Sequence, residues 1–156
     1  MIKIEERYLY ELNINDTFFD SLKSDYKNFN EWFKINNKRK VYVTFSNKKI
    51  TSFLMLKVEN ENEIYEFNKE FIPKKRLKIC TMKIIEKGLG IKDEFIKIIF
   101  DKAKELEVEE IYFTVFPKYT HLINFFSNCG FKYYCSKNTL DSKNEIKEEY
   151  VYVRSL

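Results

Sequence analysis

The sequence predicts an α/β fold, a mixed central sheet with helices on both faces. Three observations carry this. Residues 76–116 read as strand, glycine turn, helix and strand, a unit that makes two parallel strands joined by a crossover. Residues 41–58 read as an antiparallel hairpin, which makes the sheet mixed. Short alternating strands then close the chain around one more helix. The 156 residues suit one domain, 1–156, without internal repeat or linker. At 44% hydrophobic and 33% charged, they can fill a core without disulfides or metal.

Each element has its own signal. Residues 2–12 (β1) are strand-like, with Tyr8, Tyr10 and Leu12 alternating against Leu9 and Glu11. Asp16 can cap a helix that begins at Thr17 (α1), because its carboxylate accepts from free first-turn N–H groups. Phe18, Leu22 and Tyr26 recur there at spacing four, on one face. A short second helix (α2) holds Phe29, Trp32 and Phe33. In 41–45 (β2), Val41, Val43 and Phe45 alternate with Tyr42 and Thr44. Residues 46–49 form a polar tight turn, and 50–58 (β3) return. A polar turn over 59–63 leads to a short return at 64–67, and Pro73 marks the end of a loop. Residues 76–85 (β4) are apolar on both sides, as a central strand with covered faces would be. Ile91, Phe95, Ile98, Ile99, Ala103 and Leu106 give an amphipathic helix (α3) ending about Leu106. A strand at 109–116 (β5) stops at Pro117, and a helix at 120–129 (α4) ends on Gly130, which tolerates positive φ. Strands 131–135 (β6) and 149–154 (β7) flank a polar loop at 136–147.

Composition excludes several functions. Three widely spaced cysteines and a single histidine make neither a disulfide framework nor a multi-histidine metal centre. Free cysteine is usually a small buried apolar residue, so Cys80 and Cys129 read as packing residues rather than nucleophiles. Lys+Arg 28 against Asp+Glu 24 leaves a net charge of +4, too mild and too scattered for a dedicated nucleic-acid binder. The short basic runs 38–40 and 74–76 read as solvated strand entries. No apolar run approaches the roughly 20 residues of a membrane span, and the N-terminus lacks a signal-peptide core. The expected setting is the cytoplasm, with reduced thiols.

The chemistry concentrates at the glycine turn. Lys87-Gly88-Leu89-Gly90 lies between a strand and a helix. Free N–H groups and the dipole at a helix N-terminus favour an anion, and glycines let the backbone approach a phosphate. Lys87 and Lys92 add charge. The spacing fits neither a Walker loop nor the three-glycine dinucleotide fingerprint. On this motif alone a helix entry needing a tight turn fits equally well.

With the element order, this turn resembles the Gcn5-related N-acetyltransferase (GNAT) family, whose fold runs β1-α1-α2-β2-β3-β4-α3-β5-α4-β6-β7. The run from Asn124 through Cys129-Gly130-Phe131 is similar to the family signature at the end of α4. Leu54-Met55-Leu56-Lys57 and the segment from Phe18 to Lys23 resemble a bacterial branch. The resemblance implies acetyl-CoA as cosubstrate and no metal. Pantetheine would lie along β4, bonded by backbone groups of Met82, Lys83 and Ile84. The pyrophosphate would sit on the amides of Lys87, Gly88, Leu89, Gly90 and Ile91, beside Lys92. Asn124 and Phe126 would line the other side. The chain departs from the family in three places. Ile85 stands where Gln or Arg precedes the glycines, Phe126 replaces the α4 tyrosine that often protonates the leaving thiolate, and Tyr119 stands where an asparagine often follows β5.

The implied reaction is direct acetyl transfer to a primary amine. A base is required because an amine is charged at neutral pH. Glu59 is the candidate base, with Glu66 and Glu70 behind it, and Tyr119 the candidate acid, with Tyr134 behind it. His121, at the start of α4, reads as an exposed helix residue or a proton shuttle. The acceptor is a small-molecule or peptide amine, and the protein a monomer or homodimer. The alternative is a catalytically silent CoA-binding module or interaction domain, which Phe126 and Ile85 motivate.

Overall fold

The computed structural model describes residues 3–85 and 90–156. Its elements are β1 (Glu5–Tyr8), α1 (Asp20–Asp25), α2 (Phe29–Ile35), β2 (Lys40–Ser46), β3 (Lys49–Glu59), β4 (Arg76–Ile84), α3 (Ile91–Glu105), β5 (Glu110–Val115), α4 (Thr120–Asn128), β6 (Lys132–Leu140) and β7 (Ile146–Ser155). The seven strands form a mixed sheet in the order β1-β2-β3-β4-β5-β7-β6. The chain packs as two compact units. One comprises Met1–Met55, Thr81–Lys97 and Leu140–Glu145, the other Leu56–Cys80, Ile98–Thr139 and Ile146–Leu156.

In the first unit β1, β2 and β3 run antiparallel. The expected strand 2–12 is shorter. After Tyr8 the chain turns through a 3₁₀ segment, Leu9–Glu11, because Glu11 accepts from the Tyr8 N–H and the Leu9 N–H goes to the Arg39 carbonyl. Asp16 caps as its position predicts, but the first turn, Thr17–Phe19, is 3₁₀ and α1 starts only at Asp20. One carboxylate oxygen of Asp16 accepts from the Phe18 N–H at 2.9 Å and the other from the Ile50 N–H at 3.0 Å, so the cap also anchors β3. Phe18, Phe19, Phe29, Phe33 and Phe53 are all buried, and Phe19 meets Phe18, Phe33 and Phe53 edge-on. The alternation in β2 breaks at Thr44. A register shift lies between Thr44 and Phe45, and Thr44 is fully buried against the hydroxyls of Thr51 and Ser52.

In the second unit β4 and β5 are parallel, as the strand–turn–helix–strand reading requires, and β5 pairs antiparallel with β7. Residues 64–67 are not a strand. Their aromatic rings turn inward instead, so that Tyr65 and Phe67 pack with Phe71, Tyr112, Cys135 and Val151. Asn68 exchanges hydrogen bonds with both the backbone and the hydroxyl of Ser136, which fastens the loop. The expected polar loop 136–147 is largely strand. β6 continues to Leu140 and β7 begins at Ile146, because the polar side chains Ser136 and Thr139 bond the β7 carboxylates of Glu148 and Glu149. Gly130 ends α4 at φ +90, and the Arg154 guanidinium donates to the Cys129 carbonyl at 3.0 Å. Phe113, Phe126 and Phe131 cluster with centroids 4.6–5.4 Å apart.

Candidate active site

Of the residues expected to hold a pyrophosphate, Lys87, Gly88 and Leu89 lie outside the described residues. Gly90 has φ +69, and no described residue other than its chain neighbours comes within 4 Å of where a Cβ would stand. Its carbonyl accepts from the Glu94 N–H at 3.1 Å, which opens α3. Ile91 is the first helical residue and is buried, while Lys92 is exposed. Free N–H groups and the dipole at a helix N-terminus favour an anion, and glycine adopts the left-handed conformation without strain.

Met82, Lys83 and Ile84 are the last residues of β4, and all three are partly exposed. The Ile85 N–H donates to the Thr51 carbonyl at 2.9 Å. The Lys83 ammonium donates to the Phe18 carbonyl and, at 2.8 Å, to the Ser21 hydroxyl, and lies 4.7 Å from the Phe18 ring centre. Burial lowers its pKa, and the nearby carboxylates of Asp20, Asp25 and Asp16 work against that shift.

Glu59 is not a solvated turn residue. It is the last residue of β3 and only 4% exposed. One of its oxygens accepts from the Tyr65 hydroxyl at 2.9 Å and from the Tyr112 hydroxyl. The other lies 3.7 Å from the Lys57 ammonium. Burial pushes the Tyr65 phenol up to about 12, and the Glu59 carboxylate adds to that. Tyr112 moves the same way for the same reasons. Both phenols are therefore donors at neutral pH. The sequence reading had no role for Tyr65 or Tyr112. Alternation alone puts Tyr112 on the β5 face opposite Ile111 and Phe113, but its carboxylate partner is 53 residues away.

Arg76, read from sequence as part of a solvated basic run, is 2% exposed. Its Nε donates to Glu110 at 2.5 Å, and the Lys74 ammonium lies 3.5 Å from the same carboxylate. The guanidinium lies 3.7 Å from the Phe71 ring centre, and its Nη1 has no hydrogen-bond partner among the described residues. The loop from Glu63 to Pro73 lines an open cavity of about 440 Å³, with Tyr65, Phe67 and Phe71 in its wall.

Tyr119 precedes α4 as its N-cap and is 37% exposed, with the Lys118 ammonium 5.1 Å from its ring centre. Asn124 and His121 are exposed on α4, and Phe126 is buried in the aromatic cluster. Glu66 and Glu70 are exposed in the loop, and the Tyr134 hydroxyl donates to the Glu70 carbonyl at 2.5 Å. Another buried carboxylate escaped the sequence reading. Glu149 of β7 is 1% exposed and accepts from Thr114 and Thr139. Among the described residues no group of three His, Cys, Asp or Glu side chains could hold a metal, and no helix is long and apolar enough to cross a membrane.

No protein-family model matches the chain, and no curated protein matches it in sequence. Solved structures match it in fold. A GNAT family acetyltransferase from Elizabethkingia anophelis with acetyl-CoA bound superposes with a TM-score of 0.63 at 14% identity, covering 99% of this chain and 98% of that one. Arabidopsis thaliana NAA60 in complex with acetyl-CoA gives 0.71 at 13% identity, covering 99% of both chains. Chaetomium thermophilum Naa20 in complex with a bisubstrate analogue gives 0.71 at 14% identity, covering 99% of this chain and 86% of that one. At these identities the likeness is one of fold, and the chain has the mixed α/β fold of the GNAT acetyltransferases.

Proposed function

We propose that this protein is an N-acetyltransferase of one domain, moving the acetyl group of acetyl-CoA directly to a primary amine. The observation that carries the reading is the end-to-end fold likeness to acetyltransferases with acetyl-CoA bound. The conformation at Gly90 supports it, with positive φ at the start of α3 and no described residue other than its chain neighbours within 4 Å of where a Cβ would stand. In this reading the amides around Lys87–Ile91, with Lys92, take the pyrophosphate. Backbone groups of Met82, Lys83 and Ile84 take the pantetheine. Asn124 and Phe126 of α4 keep the cofactor-lining role that the family resemblance implies. A base takes the ammonium proton and an acid returns one to the thiolate, help worth roughly 10²–10⁴-fold. Glu59 and Tyr119 are the candidates that the sequence supplies. The acceptor is a small-molecule or peptide amine, the latter supported by the NatC complex bound to Gag peptide and CoA among the fold neighbours.

The test is thermal unfolding with acetyl-CoA or CoA, followed by thiol release in the presence of an amine panel. A ligand that binds only the native state raises the melting temperature by mass action. We expect a rise in the wild type and its loss in Gly88→Glu, which puts a carboxylate into the expected anion site. No rise at millimolar acetyl-CoA would end the reading. A rise without turnover of any amine would favour a silent CoA-binding module.

A further inference from the structure

We propose that Thr114 and Glu149 form the proton-accepting pair of the transfer, Thr114 meeting the acceptor amine and Glu149 holding the proton behind it. The inference rests on the acetyltransferase reading and names the group that makes the amine nucleophilic. β4 and β5 pair from Arg76↔Glu110 to Ile79↔Phe113, and the ladder stops there. Thr114 is the next residue of β5, so it stands where the two parallel strands part, which is where the GNAT resemblance implies that acetyl-CoA binds. On its other side Thr114 pairs with Val151 of β7. Side chains alternate along a strand, so Glu149, two residues from Val151, shares its face.

The side chains agree with this placement. Glu149 is 1% exposed, and its two oxygens are separately engaged. One accepts from the Thr114 hydroxyl at 3.0 Å and the other from the Thr139 hydroxyl at 2.5 Å. Thr114 is half-buried, and a hydroxyl that donates to a carboxylate keeps lone pairs that accept from another donor. Glu59 is engaged differently: two phenols donate to one of its oxygens and the Lys57 ammonium lies 3.7 Å from the other. The titratable residues within two positions of the Glu149 contacts on these strands are Tyr112 on β5, Lys137 on β6, and Lys147, Glu148 and Tyr150 on β7.

The step balances. The acceptor ammonium passes a proton to the Thr114 oxygen as the Thr114 hydroxyl proton moves to Glu149. The neutral amine attacks the thioester carbonyl, the C–N bond forms and the C–S bond breaks. The second amine proton leaves with the CoA thiolate.

The experiment measures kcat/KM for acetyl transfer from acetyl-CoA to a polyamine, lysine and a free-amine peptide, over about pH 3 to 9, which brackets carboxylate and histidine titration. Glu149→Gln should lower kcat/KM by roughly 10²–10⁴-fold and abolish the fall in rate toward acid pH that a carboxylate base produces. Thr114→Val should do the same, and Thr114→Ser should restore the wild-type profile. Retained thermal stabilisation by acetyl-CoA separates lost chemistry from lost fold. Should Glu149→Gln fail to fold, the contrast between Thr114→Val and Thr114→Ser decides. Wild-type rates and pH profiles in Glu149→Gln and Thr114→Val would overturn the inference while leaving the acetyltransferase reading intact. A wild type that turns over no amine would end that reading and the inference with it.

Discussion

Two central residues with positive φ make the tight hairpin turn whose twist matches that of its strands. Asn47 (φ 50) and Lys48 (φ 66) supply them between β2 and β3. Asparagine tolerates this conformation, whereas lysine carries a Cβ that crowds the backbone there. Lys48→Gly should therefore stabilise the protein by about 0.5–1 kcal/mol, after glycine's greater entropy loss is counted. At this chain length that is a rise of about 2–4 °C in melting temperature per kcal/mol, readable by thermal denaturation. An unchanged or lower Tm would contradict the argument. The turn was legible in Ser46-Asn47-Lys48-Lys49 even without the favoured Asn-Gly, because the flanking alternation demanded it. Gly130 was legible too, since it follows the helical pattern directly. Its further constraint was not, because an added Cβ would stand 2.6 Å from the Nε of Arg154, 24 positions along the chain.

Elements form where local pattern and tertiary partners agree. The α3 periodicity and the β4–β5 unit were plain because each has its signal within one short window. The loop over 60–75 was not. Tyr65 and Phe67 alternate as a strand would, but both rings were needed inside, over Tyr112 and beside Phe71. Its floor includes the buried Arg76–Glu110 pair that joins the starts of β4 and β5. Removing one partner of a buried pair leaves an uncompensated charge, so Glu110→Ala should cost about 3–5 kcal/mol. Replacing both, Arg76→Met with Glu110→Leu, should recover most of that loss, since apolar residues of similar volume often substitute without cost. Urea unfolding of the two variants checks this. A double variant no more stable than Glu110→Ala would show that the pair's charge, rather than its volume, holds these strands together.

At the scale of the whole molecule, proton linkage ties stability to pH. Tyr65 titrates near 12 in the folded protein against 10 in the unfolded chain. Between those values the unfolded state has lost a proton that the folded state keeps. The stabilisation is thus complete below about pH 10 and declines as pH rises through about 12. Tyr65→Phe should be less stable than wild type at neutral pH, and the gap should narrow as urea unfolding is followed from about pH 9 to 11. Lysine titration is common to both proteins and cancels in the comparison. A constant gap would show that folding does not raise the Tyr65 pKa by burial and the Glu59 carboxylate.

The sequence by itself determined the element order, the parallel crossover, the cap at Asp16 and the end of α4. Each depends on periodicity or on conformational preferences within a few residues, and the resulting order sufficed to suggest the GNAT fold. The tertiary structure decided which charges are buried and what they meet. Glu59 meets Tyr112, Arg76 meets Glu110, and Glu149 meets Thr114, at separations of 53, 34 and 35 residues. A carboxylate in a polar stretch looks the same in sequence whether it faces water or a hydroxyl brought in from a distant strand. Desolvation and hydrogen bonding separate the two cases, and both depend on which strands become neighbours.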